Sequence, residues 1–205
     1  MSLPISPEEL RDRYGHIKEG LGQDVTVVVA TKYVTVDELA LLGEAGVEVV
    51  GENRAQDLQA KHDRYGPQFR WHFIGHLQSR KVAIVNALCE LCHSLDSESA
   101  ARRLAIPALV EVNLSGEETK SGVSPWELPA FLGPYPDVRG LMTMPPFAVD
   151  PEASRPYFRR LRELADEHGL RELSMGTSQD YNVAVEEGAT YVRIGSTIFG
   201  DRRPE

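Results

Sequence analysis

The chain has 205 residues, 41% of them hydrophobic, and a formal net charge of -9 at pH 7. This length suits one domain of ordinary size, so we expect residues 1–205 to form a single domain. The acidic balance argues against a nucleic-acid-binding or anionic-membrane protein, because such surfaces need clusters of lysine and arginine. No signal peptide is visible and no stretch is long enough to span a bilayer, which indicates a cytoplasmic protein.

Signals for helices and strands alternate along the chain. An opening helix is predicted from Ser6, whose side chain caps it just before Pro7. The first strand, residues 25–31, is continuously apolar, as expected of a strand buried on both faces. A second helix is predicted from the capping pattern at Thr35 to near Gly46. Further strands are predicted at residues 48–51, 69–74, 91–95, 108–114, 138–142, 172–174 and 190–194.

The later helices complete the alternation. The clearest one, residues 154–168, carries an apolar stripe of period 3.6 and ends at Gly169. Eight strands that alternate with helices predict a closed parallel barrel, the (β/α)8 TIM barrel. A doubly wound open sheet is the structural alternative, although its usual strand count is lower. The other helices are predicted from about Asn53, around 80–89, after Asp96, from Ser124 and over 179–187.

Lys32 directly follows the first strand. A lysine is costly to bury, so one placed where a core strand ends needs a chemical or a structural reason. The chemical reading is an amine poised to form a Schiff base with a carbonyl ligand. The structural interpretation is a charged residue at the solvent-exposed end of a strand.

Barrel closure would bring the carboxyl ends of strands 7, 8 and 1 to one mouth. Small residues after strands 7 and 8 let backbone N–H groups approach an anion, and barrels commonly hold phosphate there. Gly195 and Ser196 fit that role, with the Ser174 hydroxyl as a further donor. Either segment alone could be an ordinary turn, but the two segments beside Lys32 together predict a phosphate site.

A phosphate cradle beside a Schiff-base lysine describes a site for pyridoxal 5′-phosphate (PLP). Arg193 would then lie between the phosphate end and the amine, within reach of the pyridine ring; the alternative is an ion pair at the barrel rim. Arginine is always a donor, so it favours an unprotonated ring nitrogen and a weak electron sink. Extensive carbanion chemistry is therefore not expected.

Motifs over about residues 25–200 together resemble the pyridoxal phosphate homeostasis proteins, also called the YggS or PROSC family. The resemblance implies a single barrel like the amino-terminal domain of alanine racemase, with PLP bound covalently to Lys32. The role of a matching loop with Asn113, Glu117, Lys120 and Gly122 is left open. The segments that carry the resemblance are Thr31-Lys32, Gly51-Glu52-Asn53, Trp71 to Gln78, Leu173 to Ser178 and Val192 to Gly200.

The resemblance also implies the remaining contacts of the cofactor. Arg193 would lie near the pyridine nitrogen, and Asn53 would line the ring pocket. Ser174, Gly195 and Ser196 would contact the phosphate.

Two other pairs of residues have the spacing of metal ligands. Cys89 and Cys92 form a Cys-x-x-Cys, but zinc would need a second ligand pair, and we expect the two thiols to pack separately. His72 and His76 have the spacing of a helical metal site, yet the segment reads as a strand that leaves through a glycine. No metal is expected at either pair.

Three functions are compatible with the sequence. The first is a non-catalytic, monomeric PLP carrier or buffer, with PLP-dependent apo-enzymes as candidate recipients. The second is a PLP-dependent amino-acid racemase of low activity. It needs acid–base groups on both faces of the substrate carbon, and Tyr33 would point away from Lys32 if both lay on a strand. The third is a phosphosugar enzyme whose Lys32 forms the imine directly with its substrate. The first is favoured, because no second catalytic group is evident.

Overall fold

The computed structural model describes residues 5–117, 119–135 and 137–200. Within these residues, eight parallel strands close into one barrel in the order β1 to β8, which confirms the predicted (β/α)8 fold. The strands are β1 (Thr26–Ala30), β2 (Val49–Glu52), β3 (Arg70–Phe73), β4 (Leu91–Leu95), β5 (Ala108–Glu111), β6 (Val138–Met142), β7 (Glu172–Thr177) and β8 (Tyr191–Ile194).

Helices surround the barrel, and they are numbered here in chain order. They are α1 (Pro7–Leu21), α2 (Leu39–Glu44), α3 (Ala55–Tyr65), α4 (Val82–Leu88), α5 (Glu98–Ala101), α6 (Leu128–Leu132), α7 (Arg155–Glu167), α8 (Tyr181–Glu186) and α9 (Ser196–Phe199). Short 3-10 helices occur at Gly66–Gln68, Ser79–Lys81 and Pro151–Ser154. Among the described residues, none of these helices combines the length and apolarity needed to cross a membrane.

Closure of the barrel joins its first and last strands. In β1, Val28 is paired with Arg193 and Val29 with Ile194 of β8. On the other side of β1, Val29 is paired with Val50 of β2. Strand β8 is paired on its other side with β7, so the carboxyl ends of β7, β8 and β1 lie next to one another, as the sequence predicts.

The main core lies between the sheet and the helices. Helix α7 shows how it forms, because its buried residues Phe158, Leu161, Leu164 and Ala165 repeat at helical spacing and face the sheet. A smaller cluster of Leu91, Leu109 and Met142 is separate from that core, with Tyr191 packed against it. Each burial of a large apolar side chain contributes roughly 2 kcal/mol, so these layers hold the strand ends in fixed positions.

Several boundaries differ from the sequence prediction. Strand β1 ends at Ala30, so Lys32 and Tyr33 lie in a turn rather than on the strand. The predicted cap at Thr35 exists, since the Glu38 N–H donates to Thr35 Oγ1 at 3.3 Å, but α2 begins only at Leu39. Strand β5 ends at Glu111, and the chain beyond it continues only as a single bridge from Val112 to Val123.

Candidate functional site

Lys32 lies at the carboxyl end of the barrel with its side chain exposed. Its Nζ is 4.7 Å from the centroid of the Tyr33 ring, a distance typical of a cation–π contact. The expectation that Tyr33 points away from Lys32 is therefore wrong, because the two residues lie in a turn and not on a strand. The amine is accessible to a ligand from solvent.

The turn after β8 lies against the end of β1. A Cβ added at Gly195 would be 3.7 Å from both the Cβ and the carbonyl oxygen of Ala30, two residues before Lys32. Ser178 Oγ accepts hydrogen bonds from the backbone N–H groups of Gly195, at 3.0 Å, and Thr197, at 3.1 Å. Ser196 is exposed at this turn. The turn thus lies at the same mouth as Lys32, and Ser178 holds two of its backbone N–H groups.

The end of β7 requires a glycine. Gly176 has φ of 90°, and a Cβ there would lie 2.6 Å from the Cβ of Ala184 on α8. Just beyond it, Thr177 N–H donates to Asp180 Oδ1 at 2.7 Å, and Ser154 Oγ donates to Asp180 Oδ2 at 2.7 Å. These contacts fix the β7–α8 turn, which presents Ser178 to the turn after β8.

Arg193 is buried inside the barrel and is held by three partners. Its guanidinium donates to Ser174 Oγ, to the Thr143 carbonyl oxygen at 3.0 Å, and to Met144 Sδ at 2.9 Å. Burial lowers the pKa of Arg193 to about 10, opposed by the charges of Glu111 and Asp180. Arg193 therefore remains a cation at neutral pH.

Ser174 is fully buried, and its hydroxyl contacts Arg193 and His93. His93 Nδ1 is 2.7 Å from Ser174 Oγ, and His93 Nε2 is 2.9 Å from His72 Nδ1. Burial lowers the pKa of His72 to about 3 and holds that of His93 well below its ordinary value. Neutral imidazoles carry one donor and one acceptor each, so these groups can form one continuous hydrogen-bonded chain behind Arg193.

Asn53 follows β2 and supplies an unusual polar atom. Its Oδ1 is buried and has no hydrogen-bond partner. The backbone here is tightly packed, because a Cβ added at Gly75 would be 2.1 Å from the Asn53 carbonyl oxygen. A buried acceptor without a partner is costly, which makes it a candidate contact for a bound ligand.

The loop after β5 is organised by Asn113. Its Nδ2 donates to the carbonyl oxygen of Glu117 at 2.9 Å, and its Oδ1 accepts from the Gly116 N–H at 3.1 Å. Lys120 forms an ion pair with Glu117 at 3.2 Å, and Gly122 has φ of 116° with no room for a Cβ against Asn113 N. These residues, whose role the sequence leaves open, therefore stabilise this loop.

The two pairs with metal-ligand spacing differ in how they are exposed. The ring of His72 is buried in the barrel, whereas His76 is exposed and lies 3.3 Å from Asp96. Cys89 and Cys92 are both free and buried, and burial raises the pKa of each thiol.

Four residues with contacts around the site are not among the site residues that the sequence predicts. Ser178 lies within one of the motifs that carry the resemblance, without a predicted role of its own. His93 gave no signal beyond a polar residue in an apolar strand. Glu52 and Lys61 form a buried ion pair beneath the mouth, and Lys61 stands on the apolar stripe of α3 with Leu58 and Tyr65. A lysine at a buried helical position is the signal that could have revealed the pair.

The fold and the site define a class of protein. It is a single parallel barrel with an exposed lysine after β1 and, after β8, a turn whose backbone N–H groups donate hydrogen bonds. The family model "Alanine racemase, N-terminal domain" matches residues 5–203. The pyridoxal phosphate homeostasis protein of Aquifex aeolicus is 40% identical over 208 residues, covering 91% of each chain. That of Deinococcus radiodurans is 35% identical, covering 97% of this chain and 100% of its own.

Solved structures agree with these sequence relatives. PipY of Synechococcus elongatus, solved with PLP bound, has a TM-score of 0.83 and 29% identity, and covers 93% of this chain and 100% of its own. Lysine decarboxylase from Selenomonas ruminantium, at 15% identity and a TM-score of 0.75 over 94% of this chain and 62% of its own, shares the fold alone. The chain belongs to the alanine racemase N-terminal-domain family and, within it, to the pyridoxal phosphate homeostasis proteins.

Proposed function

We propose that this protein binds PLP as a Schiff base on Lys32 and serves in intracellular PLP homeostasis, without robust catalysis. The observation that carries the proposal is the pairing of β1 with β8, which brings the exposed Lys32 amine and the Gly195 turn to one mouth. The names of the sequence relatives and the PLP-bound PipY structure support it.

The residues present fit this cofactor, which supplies an aldehyde for the lysine and a phosphate for the turn. Lys32 would supply the amine, and Gly195 and Ser196 would direct backbone donors at the phosphate. The buried, unpartnered Oδ1 of Asn53 is an acceptor that a donor on the ligand would satisfy. Arg193, held from behind by Ser174, would face the pyridine nitrogen.

We assign the hydroxyl contact with the phosphate to Ser178 rather than Ser174. The Ser174 hydroxyl is fully buried and already bonded to Arg193 and His93. Ser178 Oγ instead accepts hydrogen bonds from the N–H groups of Gly195 and Thr197, which places its hydroxyl at the turn where the phosphate is expected. Ser174 then acts on the cofactor only through Arg193.

The charge state of Arg193 supports a carrier rather than a catalyst. With a pKa of about 10 the guanidinium keeps its protons at neutral pH, so it offers the ring nitrogen no acceptor and gives a weak electron sink. The neighbouring His72 and His93 are held neutral by burial, so neither is an acid at neutral pH. Carbanion chemistry therefore has little support from this site.

A low-activity amino-acid racemase is the second candidate, favoured by one observation. The Tyr33 ring centroid lies 4.7 Å from the Lys32 Nζ, which places an ionisable side chain beside the amine. Tyr33→Phe keeps the ring and removes the hydroxyl. If the protein is a racemase, this variant loses D/L exchange while it keeps the cofactor.

Absorption spectroscopy and borohydride reduction separate these two PLP-dependent functions from the third candidate, a phosphosugar enzyme. A purified yellow protein that borohydride bleaches indicates a PLP Schiff base. A colourless protein that borohydride traps only with a sugar phosphate would support the phosphosugar enzyme. Substantial D/L exchange of any amino acid, lost in Lys32→Ala, would defeat the non-catalytic assignment.

A cytoplasmic location, a monomeric state and apo-enzymes as recipients remain predictions.

A further inference from the structure

A buried ion pair lies directly behind the mouth of the barrel. Lys61 on α3 is 3% exposed and Glu52 at the end of β2 is 0% exposed, and Lys61 Nζ donates to Glu52 Oε1. Thr31 Oγ1 donates to the same carboxylate oxygen at 2.5 Å. The pair thus connects α3, the end of β2 and the residue before Lys32.

One hydrogen bond of this pair ends on the peptide group that carries Lys32, the proposed covalent contact of the cofactor. Lys61 Nζ donates at 2.8 Å to the carbonyl oxygen of Thr31, which belongs to the peptide bond linking Thr31 to Lys32. Val34 N–H donates to the same oxygen at 2.9 Å and closes the turn around Lys32. Glu52 immediately precedes Asn53, so the carboxylate that bonds Lys61 and the Thr31 hydroxyl comes from the end of β2.

Packing alone gives no reason for charges at this position. Removing two charges from water is expensive, and apolar residues of similar volume often serve a core equally well. The other carboxylate oxygen, Glu52 Oε2, is buried and has no partner, which adds to the cost. A directional contact with the Thr31 carbonyl is what an apolar pair could not supply.

We propose that Lys61 and Glu52 are positioning residues that hold the Lys32 turn so that its amine meets the bound aldehyde. The proposal rests on the proposed function, since Lys32 matters only if it forms the Schiff base. Misplacing a reacting group by about 1 Å can cost roughly a hundredfold in rate, so loosening this turn should slow Schiff-base formation more than it weakens the fold.

The test compares Lys61→Met and the double variant Glu52→Leu with Lys61→Met, which removes both charges. The rate of Schiff-base formation with added PLP is followed by absorption, and thermal unfolding is measured in parallel. We expect the double variant to form the Schiff base at least about tenfold more slowly than wild type, with an unfolding temperature close to that of wild type. Lys18→Met, which breaks the exposed Lys18–Glu48 pair, is the matched control and should react at the wild-type rate.

A folded double variant that reacts at the wild-type rate would overturn the proposal. If neither variant folds, Thr31→Val removes only the hydroxyl link, and a rate unchanged within about twofold would count against it. Hydrogen exchange at the Val34 amide in cofactor-free protein gives a second readout. Faster exchange in the double variant supports the anchoring of the turn, and unchanged exchange opposes it. If wild type forms no adduct at Lys32, the proposed function fails, and the exchange result still reports on the turn.

Discussion

The Arg193 guanidinium donates a hydrogen bond to the hydroxyl of Ser174 inside the barrel. This contact joins β8 to β7 and links Arg193, through Ser174, to His93 and His72. The cation predicted to face the cofactor is therefore fixed from behind by neutral groups. Its orientation depends on side chains that do not themselves reach the mouth.

Ser174→Ala should lower the free energy of unfolding by roughly 1–3 kcal/mol, because Arg193 and His93 each lose a buried partner. Urea unfolding at neutral pH measures the change. Ser121→Ala, at an exposed position, is the control and should leave stability within about 0.5 kcal/mol of wild type. An equally small effect of Ser174→Ala would show that the contact is unimportant.

Ser178→Ala should weaken PLP binding about tenfold and leave binding of pyridoxal, which lacks the phosphate, almost unchanged. The reason is that Ser178 lies against the N–H groups of Gly195 and Thr197, where the phosphate is expected. Equilibrium titration of each variant with both ligands measures the ratio. Equal losses for PLP and pyridoxal would argue that Ser178 does not contact the phosphate.

Stability should fall as the solution is acidified below about pH 6.5. Burial lowers the pKa of His72 to about 3 from an ordinary 6.5, and lowers that of His93 as well. In this window the unfolded chain binds protons that the folded protein does not, so stability is full above the unfolded pKa and is lost toward the folded one. We expect a loss of roughly 1 kcal/mol per histidine between about pH 7.5 and pH 5.5.

Urea unfolding across that pH range tests this expectation. His72→Gln should make the pH dependence shallower, whereas His16→Gln, at an exposed position, should leave it unchanged. A wild-type slope retained in His72→Gln would mean that this ring does not cause the acid sensitivity.

Cys89 and Cys92 should resist alkylation in the folded protein. Burial raises the pKa of Cys92 to about 11 and raises that of Cys89, so little thiolate forms near neutral pH. Iodoacetamide at about pH 8 followed by mass spectrometry should show no modification in buffer and two modifications in concentrated urea. Rapid labelling of the native protein would contradict the buried assignment.

The sequence was sufficient for the architecture because strand and helix signals alternate without interruption. It was less reliable at strand ends, where one residue decides which way a side chain points. Strand β1 ends at Ala30, one residue earlier than predicted, and Lys32 and Tyr33 lie in the turn that follows. Likewise β7 extends to Thr177, and Ser174 lies within the strand with its hydroxyl inside the barrel.

Contacts between distant segments could not be predicted from local patterns. The bond from Lys61 to the Thr31 carbonyl joins a helix to a strand end, and only the folded barrel brings them together. The chain from Arg193 through Ser174 to His93 spans β8, β7 and β4 in the same way. In the sequence, Lys61 and His93 are each an isolated polar residue in an apolar element, and nothing local indicates their partners.

Lys32 is proposed as the covalent anchor of PLP. The sequence has five lysines, Lys18, Lys32, Lys61, Lys81 and Lys120, so peptide mapping after borohydride reduction can assign an adduct to one of them. We predict a single pyridoxyl group on Lys32 in wild type, none in Lys32→Ala, and the wild-type result in Lys18→Ala. An adduct on another lysine, or one that persists in Lys32→Ala at the wild-type level, would contradict the assignment.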